Sequence, residues 1–214
     1  MTEYILIRSK RKTIGLYIRD GVLEVRAPLV MPKRDIDMLL VSKEKWLQDN
    51  LVKSKEWLQR RKEICLNYGD FILYLGQRYP IVSGEVRGFD GEAFYMPPSL
   101  SSEEIKATCI KCYRSLAKRH LANRVHEFSQ KMSVMPSSIK ITSAKTRWGS
   151  CSSKKSINFS WRLIMMESDV VDYVVVHELA HLIEMNHSKR FWEIVEAVLP
   201  DYKQRKKRLR EVIF

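Results

Sequence analysis

Two histidines with three residues between them, and a glutamate directly after the first, form the run His177-Glu178-Leu179-Ala180-His181. On a helix, residues four apart stack on the same face. The two imidazoles can therefore close on one metal ion at about 2.0–2.1 Å. Glu178 is one position off that face and is suited to take a proton from water held at the metal. Zinc lowers the pKa of such a water to roughly 7, so a carboxylate can complete the deprotonation at neutral pH. His187 is the natural third ligand. It lies six residues beyond His181, where a straight helix would rotate it off the shared face, so the chain must leave the helix and turn back. Asn186 tolerates the left-handed conformation such a turn needs, and Ser188 is placed to cap a following helix. Without His187, the next candidates are Glu184, Glu193 and Glu196. Three protein ligands leave one position open, the arrangement of a catalytic zinc, although other divalent ions bind the same donors. Of five histidines, three fall between positions 177 and 187, which argues against a core helix with merely hydrogen-bonded rings.

The elements that must carry these residues are legible in the periodicity. The last third reads as helical, from Ser168 to about Glu184, from Ser188 to Leu199, and again from Asp201. Before it, Ile157, Phe159 and Trp161 alternate with Asn158, Ser160 and Arg162, the period of a strand with one apolar face. Another strand lies around Ile139 and Ile141. Ser101 and Glu104 form a capping box opening a long helix to about Met132, apolar along Ile105, Cys109, Cys112, Leu116, Val125, Phe128 and Met132. His120 and His126 on this helix are expected to be solvated. The lone pair Cys109 and Cys112 neither follows a strand nor opens a helix, so it reads as two thiols on an apolar face.

Further upstream, Ile14, Leu16 and Ile18 alternate, and Asp20-Gly21 turns the chain into Val22 to Arg26. Ile36, Leu39, Leu40, Leu47, Leu51 and Leu58 recur at helical spacing from Asp35 to about Arg61, with Trp46 and Trp57 expected to fill a core. Short β stretches follow at Phe71 to Leu75, Tyr79 to Val82 and Ala93 to Met96. Pro97-Pro98 is the expected boundary. It divides a β-rich N-terminal region with one long helix, residues 1–98, from a catalytic domain, residues 99–214.

At 214 residues the chain makes one large domain or two small ones. A composition 45% hydrophobic and 29% charged excludes a disordered chain. Lys and Arg number 38 against 25 Asp and Glu, a formal charge of +13, which attracts phosphate, nucleic acid or acidic surfaces. The cluster Lys203, Arg205, Lys206, Lys207, Arg208 and Arg210 could contact phosphates or form a solvated face. No apolar run approaches the roughly 18 residues of a spanning helix, and Asp172 interrupts even Val170 to Val176. The N-terminal residues lack the order of a signal peptide. Four cysteines in that setting are expected to be reduced thiols in a cytoplasm, with no membrane partner.

The metal-binding run is followed by Asn186-His187-Ser188 and Phe191-Trp192. It is preceded by Arg147-Trp148-Gly149-Ser150-Cys151, Ile157-Asn158 and Trp161-Arg162-Leu163. Together these resemble the YgjP-type family of zincin-fold metallohydrolases, related to the SprT-like and WLM metallopeptidases. The resemblance covers residues 100 to 214, and the β-rich N-terminal part is similar in layout. It implies an α+β fold with a zincin-like metallopeptidase core and one zinc per chain. It also implies a strand beside the metal helix, on whose exposed edge an extended peptide pairs. Ile157 to Trp161 is the expected strand, with Asn158 and Arg162 facing the cleft. Arg147, Trp148, Asn158 and Arg162 are the candidate substrate-binding residues, while Gly149 is expected to permit a tight turn. The wider metzincin motif has a glycine where this chain has Glu184.

Three function classes follow. The site most directly supports a zinc-dependent hydrolase of metallopeptidase type, with activated water attacking a peptide carbonyl and Glu178 as general base. The family resemblance also implies nucleoside triphosphate (UTP) pyrophosphohydrolysis at the same metal, with Lys145, Arg147, Lys154 or Arg162 on the phosphates. No glycine-rich phosphate loop is present for it. The third class is a nucleic-acid-associated binding module or protease, as SprT-like relatives act on proteins attached to DNA.

Overall fold

Leu23, Val25 and Ala27 point to one side of their strand and are fully buried there. That strand, β3 (Val22–Pro28), is the third after β1 (Tyr4–Ser9) and β2 (Gly15–Arg19), and it lies between them. It runs parallel to β1 and antiparallel to β2, with Arg19 opposite Val22. The expected hairpin turn is completed by Gly21 at φ 77°, and its Asp20 lies outside the described residues. The computed structural model describes residues 3–19, 21–63, 66–85 and 87–211, with side chains undescribed at 19, 53, 55–63 and 211.

The helical stretch expected to run unbroken to Arg61 is two helices, α1 (Lys33–Ser42) and α2 (Glu44–Glu63). At Lys43 the backbone leaves the helix at φ −110°, its N–H reaching both Leu39 and Leu40 carbonyls. The Ser42 hydroxyl donates to the Leu39 carbonyl at 2.8 Å, a local bond that competes with the helix ladder. Ile36, Leu40 and Leu47 join the strand residues in a small core. Trp46 is not part of it. Leu47 takes the buried face and leaves the indole 47% exposed, while Trp57 and Leu58 lie outside the described side chains.

Residues Met1–Cys65 form one compact unit and Leu66–Phe214 the other. The boundary expected at Pro97-Pro98 thus falls inside the second unit. Ile72, Ile81, Phe94 and Met96 before the prolines are buried in the same core as the helices after them. They come from β4 (Phe71–Tyr74), β5 (Gln77–Ser83) and β7 (Phe94–Met96), which with β6 (Gly88–Phe89) form a sheet of order β4-β5-β7-β6.

The long helix α3 (Ser102–Met132) begins where its capping box predicts. Glu104 N–H donates to Ser101 Oγ at 3.4 Å, and Ser101 N–H to Glu104 Oε2 at 2.9 Å. It ends at Ser133, held left-handed at φ 53°. Its stripe is buried at Ile105, Cys109, Leu116, Val125 and Phe128, with Cys112 and Met132 half-buried. Cys109 and Cys112 are free thiols, and burial pushes Cys109 up to about 12, which makes it inert. His126 is exposed, but His120 is half-buried with Nε2 unpartnered among the described residues.

Beyond α3, β8 (Ser138–Thr142), β9 (Gly149–Cys151) and β10 (Ser156–Ser160) form a third sheet, of order β8-β10-β9. A 3₁₀ turn at Trp161–Met165 leads into α4 (Ser168–Ala180). Val170, Val171, Tyr173, Val174, Val175, Val176, Leu179 and Ala180 are all buried, as an all-round apolar helix must be. Asp172 on that helix is held by Arg124 of α3 through two bonds of 2.6 and 2.7 Å, the bidentate geometry that makes such pairs strong. Two helices close the chain, α5 (Lys189–Val198) and α6 (Tyr202–Glu211). The fold is α+β, and no helix among the described residues is long and apolar enough to cross a membrane.

Candidate metal centre

His177 and Glu178 lie in the last turn of α4, and His181 caps it. The helix stops at Ala180, short of the expected Glu184. The N–H groups of Leu182 and Ile183 fold back onto Leu179 and Ala180 at 2.9 and 3.0 Å, tightening the chain out of the helix. The return does not use a left-handed Asn186, which is not among the positive-φ residues. Instead Glu184 Oε1 accepts from Asn186 N–H at 3.3 Å, and Ser188 N–H bonds the Asn186 carbonyl at 2.8 Å. Glu184, standing where the metzincin pattern has glycine, thus braces the turn. Ser188 then caps α5, its hydroxyl accepting from Phe191 N–H at 3.3 Å.

This path brings His187 back over His177 and His181. The ring centroids stand 5.0, 5.0 and 4.7 Å apart, and one ligating atom from each lies within 4.8 Å of the others. His177 Nε2 and His187 Nε2 face each other at 3.1 Å. Two nitrogens bound tetrahedrally to one ion at about 2.0–2.1 Å stand about 3.3–3.4 Å apart, so the donors fit a small divalent cation. His181 Nδ1 donates to the Glu184 carbonyl at 3.2 Å, which leaves Nε2 as its ligand nitrogen. Burial, followed by the charges of His181, His187 and Lys206, pushes His177 down to about 3. Burial also lowers His181. Both rings are therefore held in the neutral form that ligates.

Glu178 is 5% exposed, and its Oε2 has no hydrogen-bond partner among the described residues. Burial pushes its carboxyl up to about 8, while Arg147 pulls it back, the direction in which any nearby cation acts. Above it runs β9, at Gly149. A Cβ there would lie 2.5 Å from Glu178 Oε1 and 2.7 Å from Cγ. The glycine therefore makes room for the carboxylate, a role different from the expected tight turn.

Of the candidate substrate residues, Arg147 acts on Glu178 through its charge, and the other three bond elsewhere in the second unit. Arg147 is exposed, with its charge felt at Glu178. Trp148 is half-buried, and its carbonyl accepts from Ser160 N–H at 2.8 Å. Asn158 donates to Ser150 Oγ on β9 at 3.3 Å. Arg162 lies over the Trp161 ring at 4.3 Å and donates to the Ser143 and Ala144 carbonyls at 3.2 and 3.5 Å. The strand expected to offer its edge, β10, is the central one, paired with β8 and β9 on its two sides. The edge packed near α4 is β9. Phe191 is the contributor that periodicity did not assign. Fully buried on α5, it contacts His177, His181 and His187 at 5.0, 4.5 and 4.8 Å. Its sequence signals are its place three residues after the capping Ser188 and its membership of the Phe191-Trp192 pair that carries the family resemblance.

A buried helix bearing two of three converging imidazoles, with a desolvated glutamate between them, characterises a metallopeptidase-type domain. The chain belongs to the YgjP-like family, whose metallopeptidase domain matches residues 12–212. Among solved structures it is similar to the metallopeptidase zymogens abylysin of Pyrococcus abyssi and jannalysin of Methanocaldococcus jannaschii. Abylysin is 23% identical with a TM-score of 0.39, over 42% of this chain and 90% of that one. Jannalysin is 18% identical with a TM-score of 0.39, over 42% and 94%. No curated protein matches the chain significantly.

Proposed function

We propose that the protein is a zinc-dependent peptidase with His177, His181 and His187 as ligands and Glu178 as general base. The observation that carries this reading is the buried, unpartnered Oε2 of Glu178, adjacent in sequence to one of three imidazoles whose ligating atoms lie within 4.8 Å. A divalent cation such as zinc, which imidazole nitrogens bind well, would polarise a carbonyl there and acidify water. Glu178 takes the proton of the attacking water and delivers it to the departing amine, as one carboxylate can when it serves both halves of the reaction. The open edge of β9 receives the substrate backbone, and Arg147 offsets the charge of Glu178. The free thiols fit a reducing compartment such as the cytoplasm.

The test is cleavage of a mixed peptide library by the zinc-loaded protein, read by mass spectrometry, with pyrophosphate release from UTP followed in parallel. Peptide cleavage by the wild type, lost in Glu178→Gln at unchanged zinc content, supports the reading. UTP turnover without peptide cleavage overturns it.

A further inference from the structure

The C-terminal helix α6 carries six cations, and the structure divides them by what they touch. Arg205 bonds Asp201 at 2.9 Å and donates to the Asp169 carbonyl at 2.9 Å. Arg208 pairs with Glu167 and Asp169. These bonds tie α6 to the start of α4. Lys203 reaches Glu196 at 3.6 Å but is 73% exposed, a contact worth little. Lys206, Lys207 and Arg210 pair with no carboxylate among the described residues.

Residues 202, 203, 206, 207 and 210 share one face of the helix. With Trp192 of α5 they line an open cleft of about 350 Å³. Trp192 stacks on Tyr202 at 5.4 Å, and Lys206 Nζ stands 3.9 Å from the centre of the indole. Desolvation, and then the charge of Arg210, holds the Lys206 amine below its ordinary value, a strain that a bound anion would relieve. Trp192 is also in ring contact with the metal centre, with His187 stacked at 5.7 Å and His177 tilted at 5.9 Å. One indole therefore touches both the ligand rings and Lys206, on a helix face with three cations that pair with no carboxylate among the described residues. An extended peptide advances about 3.3 Å per residue, so two or three residues cross it.

We propose that this cleft is a specificity site for a carboxylate side chain of the peptide substrate, held by Lys206, Lys207 and Arg210 two or three residues from the cleaved bond. The inference rests on the peptidase reading above. An acidic side chain suits the cleft in both halves, its methylenes against Trp192 and Tyr202 and its charge against the helix face.

Binding is measured first, in metal-free Glu178→Gln protein. The probes are blocked tetraglutamate and tetraglutamine peptides carrying a neutral coumarin label, followed by fluorescence anisotropy. Tetraglutamate binds at least tenfold tighter than tetraglutamine. The double variant Lys206→Gln/Arg210→Gln removes that difference, while Lys111→Gln/Lys118→Gln on α3 preserves it. The cleft variants leave the Arg205 and Arg208 anchors intact, and an unchanged Tm verifies their folding. Equal binding of the two peptides, equal losses in both variants, or tripolyphosphate binding that tetraglutamate cannot displace overturns the assignment. Cleavage is measured second, with zinc-loaded wild-type chain and a peptide library. Enrichment of Glu and Asp within three positions of the cut, lost in the cleft variant, supports the inference. Cleavage without acidic preference overturns it and leaves the peptidase reading standing. Tetraglutamate binding with no peptide cleaved overturns the peptidase reading and, with it, the cleft's role as a substrate subsite.

Discussion

Glu178 and Gly149 act as a pair. The carboxylate occupies the space a side chain at 149 would fill, and the Cβ of an alanine there would stand 2.5 Å from Oε1. The glutamate is the flexible partner, so Gly149→Ala is expected to fold and keep its zinc while displacing the carboxylate. A positioned general base contributes typically 10²–10⁴-fold. Glu178→Gln is expected to lower kcat/KM for peptide cleavage by about that factor, and Gly149→Ala by about 10²-fold, with zinc unchanged by atomic absorption. The histidines and the glutamate were legible because their chemistry is a matter of local spacing on one helix. Gly149 was not, because its role depends on a close approach between residues far apart in the chain. The contact of Phe191 with the three imidazoles escaped for the same reason, although the residue itself stands in the motif that carries the family resemblance.

Among the elements, α3 was the most legible because both its start and its stripe are written within a few turns. Its capping box predicts that Ser101→Ala costs about 1 kcal/mol, read as a lowered midpoint in urea denaturation. The same helix carries a pH response. Burial, and then the Arg124 charge, holds His120 below its ordinary value of 6.5, so the folded state favours the neutral ring. As the pH falls from about 7.5 through that value, the unfolded chain takes up a proton that the folded chain resists, and stability is lost. His120→Gln is expected to show a smaller drop in Tm between about pH 7.5 and 5.5 than the wild type. An equal drop would assign the sensitivity elsewhere. The C-terminal end of α4 and the break at Lys43 escaped for a different reason. Apolar spacing continues through both points, whereas the backbone follows hydrogen bonds that spacing does not encode, such as Ser42 to Leu39 at 2.8 Å.

For the whole molecule, every residue assigned to the metal, to Glu178 and to the cation cleft lies in the Leu66–Phe214 unit, which has its own core. A chain beginning at Leu66 is expected to fold and to bind one zinc, checked by circular dichroism and metal analysis. A fragment that folds but binds no zinc would show that residues 1–65 help form the site. A ligand that binds only the native state at a hundred times its Kd adds about 2.7 kcal/mol. Chelation is therefore expected to lower Tm by roughly 5–10 °C, and His181→Ala should abolish that response.

The sequence by itself determined the spacing of His177, Glu178 and His181 on one helix, the capping box and the alternating strands. All are short-range properties, set by residues within one or two turns of one another. Tertiary structure alone decided that β9, not β10, offers the free edge, because strand order depends on pairings between distant segments. It decided that the strands before Pro97 share the catalytic core, because burial is settled by which apolar faces meet. It also separated the cations of α6 into two that hold the helix to α4 and three beside Trp192 that pair with no carboxylate among the described residues. A run of basic residues looks uniform in sequence, and only the placement of carboxylates from other elements tells its members apart.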